Sequence, residues 1–226
     1  MAQNVHKKVM KKMPNKTKID KPRIPKQMDT ARFQEIYEKD EPYLTNCTIS
    51  NCSIDEEDIS KIGLSQVVFQ NVTFNNVRFR NIELIDVVFD HCDLSNADFM
   101  EAVIHRAELK ESKILGINLS EATMGNVLFE NCNLNLSSFG YSSLKQVKFE
   151  NCSLRNADFY ECKFHHVDIQ ECDLNEANFS RTPLKGIDLS RSFFQRLQVE
   201  PGDLAGCQVT SEQAIGFASL LGLIIK

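Results

Sequence analysis

The chain has 226 residues, is 42% hydrophobic and 25% charged, and carries fifteen phenylalanines but no tryptophan, an ordinary globular composition that excludes a wholly disordered polymer. The formal net charge of −5 hides two opposite parts: residues 1–28 hold nine Lys/Arg against Asp20 alone, a net of +8, which leaves −13 on residues 29–226. The longest apolar stretch, Leu220 to Ile225, is too short to span a membrane, and the lysine-rich first thirty residues lack the apolar centre of a signal peptide, so a cytoplasmic location is expected.

Residues 1–28 carry Lys7, Lys8, Lys11, Lys12, Lys16, Lys18, Lys21, Arg23 and Lys26 without periodic apolar positions. That pattern predicts a disordered basic tail, free to touch DNA or to fold back on the acidic body. In residues 29–42, Thr30 to Tyr37 predicts a short helix capped by Asp29 or Thr30. Pro42 then leads out of this N-terminal helical cap.

From residue 43 to 209 a five-residue repeat takes over. Stepping by five from Leu44 to Val209 gives thirty-four consecutive apolar residues with no insertion, a period that neither a helix nor an ordinary strand produces. A second register, two residues before each of these, holds mainly Cys, Val, Ala, Ile, Ser, Thr and Gly; Glu57 is its one charged member and marks a distorted early coil. Each unit therefore points one large and one small side chain inward. Longer matches recur at spacing 20, as between Phe129–Leu134 and Phe149–Leu154. Phenylalanines form two columns at the same spacing: Phe69, Phe89, Phe129, Phe149 and Phe79, Phe99, Phe139, Phe159, Phe179. Four units per turn make a four-sided all-β solenoid with the phenylalanine columns on opposite faces. Pro183 and Pro201, lacking backbone donors, belong at corners.

Residues 210–226 begin with Thr210-Ser211-Glu212-Gln213, which has capping-box spacing. An apolar helical face follows (Ala214, Ile215, Phe217, Ala218, Leu221), then Gly222 as a stop and Leu223-Ile224-Ile225 as a candidate strand. One coil end cannot hide so many large apolar residues. Together with the outward Phe193 they predict a cap that is also a two-fold dimer interface.

All eight cysteines occupy the small inward register and read as buried, inert thiols rather than disulfides or metal ligands. His91, His105, His165 and His166 fall at outward positions, and no phosphate-binding loop, GxSxG or HExxH is present. No cofactor, metal or small-molecule substrate is expected, and the chain does not read as an enzyme. The outer surface is the candidate functional part. One face exposes Asp90, Glu108, Glu111, Glu130, Glu150, Asp168, Glu171 and Asp188 against Lys110, Lys148 and Arg191, a net of −5. The opposite face carries Asp98, Glu101, Glu121, Asp158 and Glu161 among its acids. A stiff rod with acids repeating along it resembles a duplex in the sign and regularity of its charge.

The unbroken repeat over residues 43–209 resembles the pentapeptide-repeat proteins, which are right-handed quadrilateral β-helices. The segments Leu184–Leu189, Val209–Ala214 and Leu221–Ile225 are similar to the ends of the loopless Gram-positive Qnr and MfpA-like quinolone-resistance proteins. That resemblance implies a homodimer joined through its C-terminal modules, and a DNA mimic that binds DNA gyrase or topoisomerase IV. The first acidic face, with the largest net negative charge, is the face expected to meet the topoisomerase. Direct nucleic-acid binding would be confined to the basic tail. The competing reading is a structural scaffold or an immunity-type protein that binds another protein partner.

Overall fold

Every fifth residue from Asn46 to Gly186 has a positive φ, two positions after each large inward residue. A single left-handed residue turns an extended chain sharply, so the backbone bends once per unit and four bends close one coil. Ten of these corners are Asn, the side chain that best tolerates that conformation besides Gly. The computed structural model of the chain describes residues 17–38, 40–218, 220 and 222–224.

Among the described residues, eight strands stack in chain order into one all-parallel sheet: β1 Asp29–Thr30, β2 Tyr43–Asp55, β3 Gly63–Asn75, β4 Glu83–Asp90, β5 Val103–Lys110, β6 Thr123–Glu130, β7 Ser143–Glu150 and β8 Lys163–Gln170. From β2 to β8 the register is always twenty residues, as in Leu84↔Ile104 and Phe129↔Phe149. The rest of each coil is joined by single parallel bridges such as Asp98↔Asn118 and Asn133↔Ser153. With strands about 4.8 Å apart, β2 to β8 span roughly 30 Å. Each coil satisfies its backbone polar groups on its neighbours, so twenty-residue phase and hydrogen bonding enforce each other.

The core lies on the axis. All thirty-four large register residues face it: Ile59, Phe164, Phe194, Leu204 and Val209 are partly buried and the others are buried. Within a column the phenylalanines stack, with ring centres 4.9 Å apart at Phe129–Phe149, 4.7 Å at Phe139–Phe159 and 5.0 Å at Phe159–Phe179. Across the axis the two columns meet edge to face, as at Phe139–Phe149 (5.8 Å). Both are favourable arrangements for aromatic quadrupoles. The small register holds groups that bond to the coil below. Cys132 Sγ donates to Leu109 O at 3.3 Å, and Ser142 Oγ donates to Leu119 O at 2.7 Å while accepting from Ala122 N.

The first coil departs from expectation in three ways. The cap is a 3-10 helix, Phe33–Glu38, because Asp29 and Thr30 are drawn into pairing with Cys47 and Thr48 and cannot start a longer helix. Glu57 does not distort its coil, whose corners at Glu56 and Lys61 and bridge Asp58↔Arg78 are regular. Its slot faces the open coil end, where the Tyr37 hydroxyl of the cap donates to its carboxylate. Desolvation, with that hydrogen bond, pushes the Tyr37 phenol up to about 12. Cys52 is exposed rather than buried, since β1 pairs with only two residues of β2 and leaves this part of the coil end uncovered. The cap does seal the axis: Phe33 and Ile36 are buried, and Phe33 stacks on Phe79 at 5.4 Å.

At the other end the sheet stops after β8. Lys163 N donates to Ser142 O in the coil before it, but Pro183, one coil later, has no N–H to repeat that bond. The corner φ values also lose their regularity past Gly186. Helix α1, Ser211–Ala218, follows the predicted capping box: Gln213 N donates to Thr210 Oγ1 and Thr210 N to Gln213 Oε1. Gly222 has φ +73° and Leu223 N closes onto Ala218 O. Leu223 and Ile224 form no strand. Leu221 and Ile225 lie outside the described residues.

Candidate functional site

On an extended chain alternate side chains point outward, so the residues flanking each inward one form columns up the shaft. One such column runs Gln70, Asp90, Lys110, Glu130, Glu150, Gln170, and the corner beside it runs His91, Glu111, Asn131, Asn151, Glu171, Arg191. The phase brings the eight acids of the first face together, but mostly with partners. Lys110 Nζ lies 2.6 Å from Glu108 and 4.0 Å from Glu130. Lys148 pairs with Glu150, Arg191 with Glu171, and His91 Nδ1 lies 2.8 Å from Asp90. Asn131 donates to Glu111, Gln170 to Asp168, and Ser190 N to Asp188. Glu108 is buried and so is not available on the surface, contrary to expectation. The Arg191–Glu171 pair is exposed on both sides and adds little stability, whereas Glu108 and Lys148 are buried members of theirs; together these pairs fix where charge sits.

The second acidic face is similarly laddered. Asp98 accepts from Arg80 (2.7 Å) and Asn118 (2.9 Å), Asp158 from Asn178 (2.8 Å), Glu161 from Arg181 (2.8 Å), and Glu101 from Asn81. Glu121 is exposed at its corner. The Arg80 and Arg181 bonds hold their guanidinium groups above the usual range, and Arg181 lowers the Glu161 carboxyl.

Residues 17–28, read as part of a disordered tail with folding back on the acidic body as one option, lie on the shaft. Gln146 Nε2 donates to Lys18 O (3.2 Å), Asp20 N to Asn126 Oδ1 (3.0 Å), Arg23 N to Asp86 Oδ1 (2.9 Å), and Gln66 Nε2 to Arg23 O (3.2 Å). The segment thus descends one corner, coil by coil, before entering β1. Thr17, Ile19 and Lys21 gather around Glu108, Leu128, Lys148 and Glu150, which accounts for the burial of Glu108 and Lys148. Beneath the segment Arg106 Nη2 reaches Asp86 Oδ2 at 2.8 Å. The Arg106 bond holds the Asp86 carboxyl below the usual range, against desolvation that opposes it. A signal for this docking exists in the sequence: Val68, Val88 and Leu128 occupy outward positions at twenty-residue multiples and are half-buried. Residues 1–16 lie outside the described residues.

At the C-terminal end, Gln213 Nε2 donates to Leu189 O (3.0 Å) and Ser192 O (2.8 Å), tying α1 to the last coils. Phe217 packs on Phe194 with ring centres 5.5 Å apart, and Ala218 is half-buried. The other expected interface residues face outward: Phe193 is 56% exposed, Ile215 56%, Leu223 59% and Ile224 88%, with Ala214 exposed beside them. Among the described residues no helix is long and apolar enough to cross a membrane.

The family model described as "Pentapeptide repeat region" matches residues 43–119 and 104–179. The chain is 43% identical over 215 residues to the uncharacterized protein YisX of Bacillus subtilis (strain 168), covering 93% of this chain and 99% of YisX. Solved structures of QnrB1, a plasmid-mediated fluoroquinolone resistance protein, are also similar to it. A trypsin-treated form gives a TM-score of 0.48 at 20% identity, covering 81% of this chain and 97% of that one. The full-length form gives 0.36 at 16% identity, covering 78% and 100%.

Proposed function

We propose, from the premise that this chain belongs to the pentapeptide-repeat family, that it is a non-enzymatic cytoplasmic protein acting as a mimic of duplex DNA. Its partner is a type II topoisomerase, DNA gyrase or topoisomerase IV, which it protects from fluoroquinolones or whose supercoiling it modulates. The observation that carries this reading is the outward carboxylate column. Glu130 and Glu150 stand in register on adjacent strands, Asp90 lies two coils below, and Glu111 and Glu171 line the next corner. Coils about 4.8 Å apart carry less charge per length than a duplex, with one per ~1.7 Å of axis. The mimicry therefore lies in sign, stiffness and length. The resemblance of Leu184–Leu189 and Val209–Ala214 to the Qnr and MfpA-like proteins directs it to a topoisomerase. The outward Phe193, Ile215, Leu223 and Ile224 support a homodimer through the C-terminal module, which would double the rod.

Gyrase supercoiling, with and without ciprofloxacin, is to be measured against increasing protein. Inhibition alone, or rescue from the drug, is expected; no change in either assay would reject the reading. The second reading, a scaffold or immunity-type protein with another partner, is favoured by the ion pairs that Lys110, Lys148 and Arg191 make within the acidic face, since a duplex mimic has no need of them.

A further inference from the structure

The corner column Gln66, Asp86, Arg106, Asn126, Gln146 is the one that carries residues 17–28, and the way it holds them is informative. Its polar side chains contact the strap's backbone: they accept from the Asp20 and Arg23 N–H groups and donate to the Lys18 and Arg23 carbonyls. Contacts of this kind recognise an extended backbone rather than a particular sequence. Pro22 and Pro25 fit because no N–H is demanded of them, and proline favours the extended form in advance. Ile19, Pro22, Ile24, Pro25 and Met28 are half-buried, whereas Lys18, Lys21, Arg23 and Lys26 stay in water beside an acidic shaft. Among the described residues, no backbone-to-backbone hydrogen bond ties residues 17–28 to the coils. The ladder that locks coil to coil is missing here, so this segment opens at lower free energy than the shaft does.

We infer that this corner is a docking groove for extended, proline-containing peptide segments bearing Lys or Arg. Residues 17–28 are its resident occupant, and a segment of the same chemistry from a partner protein exchanges with them. Leu128 supplies apolar surface and Glu108 lies beside Lys21 of the strap, while the Asp86 carboxylate, also held by Arg106, takes the Arg23 N–H. The inference does not rest on the topoisomerase reading and holds or fails whichever partner the acidic face meets.

The test uses the full chain and a fluorescent synthetic peptide with the sequence of residues 17–28. In wild-type protein the resident strap competes, so added peptide should bind weakly. Ile19→Asp with Ile24→Asp, which loosens the strap without touching a coil, should tighten peptide binding about tenfold, because the groove is then more often empty. A peptide N-methylated at the positions of Asp20 and Arg23 should lose that binding. In the wild-type protein, amide exchange at Asp20 and Arg23 should run about 100-fold faster than in β5–β7, yet slower than in the free peptide. Equal peptide binding by both proteins, binding by neither, full binding of the N-methylated peptide, or strap amides as protected as the coils would each overturn the inference.

Discussion

At the residue scale the fold depends on two kinds of position. The corners need a side chain that tolerates positive φ, and β-branched residues do not. Asn151 has φ +53° and donates to Asn131 Oδ1 at 2.7 Å. Asn151→Val should therefore cost about 1–3 kcal/mol in urea unfolding, and Asn151→Gly distinctly less. The axis needs volume. Phe149 is fully buried between Phe129, Phe139 and Phe159, so Phe149→Ala should cost about 3–5 kcal/mol. The inward positions were legible in the sequence because the large register is unbroken and the small one is interrupted only by Glu57 and Leu197. The corners were less so: Asn is frequent there, but Glu, Arg, His and Tyr share the column, and only backbone angles show what they have in common. Reading every inward cysteine as buried failed at Cys52, which is exposed, and at Cys207, which is only half-buried, because both lie in end coils and sequence phase cannot show which coil lacks a neighbour. Burial pushes the thiols of Cys92 to about 11 and Cys162 to about 12. A thiol reagent should therefore label Cys52 in the native protein and these two only on unfolding.

At the element scale, the strand stack was legible and the strap was not. Residues 17–28 have neither helical nor strand periodicity, and their binding site is assembled from residues twenty apart on five coils. Reading their charge alone led to a disordered tail. Asp86 gives a way to follow the strap. Its carboxyl is held below the usual range by Arg106, so its contribution is complete above the unfolded value of about 3.9 and is lost as pH falls through the depressed folded value. Protection of the Asp20 and Arg23 amides should thus be constant from pH 5 to 8 and decline only in more acid solution, with no matching change on the alkaline side; Asp86→Asn should flatten that acid limb. The C-terminal helix was legible from its capping box, while the expected strand after it does not form at Leu223 and Ile224. Ile215→Glu with Ile224→Glu should convert a dimer to a monomer by light scattering; a wild-type protein already monomeric at micromolar concentration would contradict that interface.

At the scale of the whole molecule, period and phase were sufficient for architecture because each coil repeats one solution: four bends, one large and one small inward residue per bend, and backbone bonds to the next coil. Charge was only partly legible. A face-by-face sum assigns −5 to the first acidic face, but it does not reveal that Lys110 sits between Glu108 and Glu130, or that Lys21 of the strap lies beside Glu108 and Glu150. The field a partner meets is weaker and more patterned than the sum. The most direct test is gyrase affinity of the triple variant Glu130→Lys, Glu150→Lys, Glu171→Lys compared with wild type, with circular dichroism confirming an intact fold. A contact through this face predicts a loss of about tenfold or more, ~1.4 kcal/mol, that shrinks as salt is raised; affinity unchanged by the three reversals would contradict it.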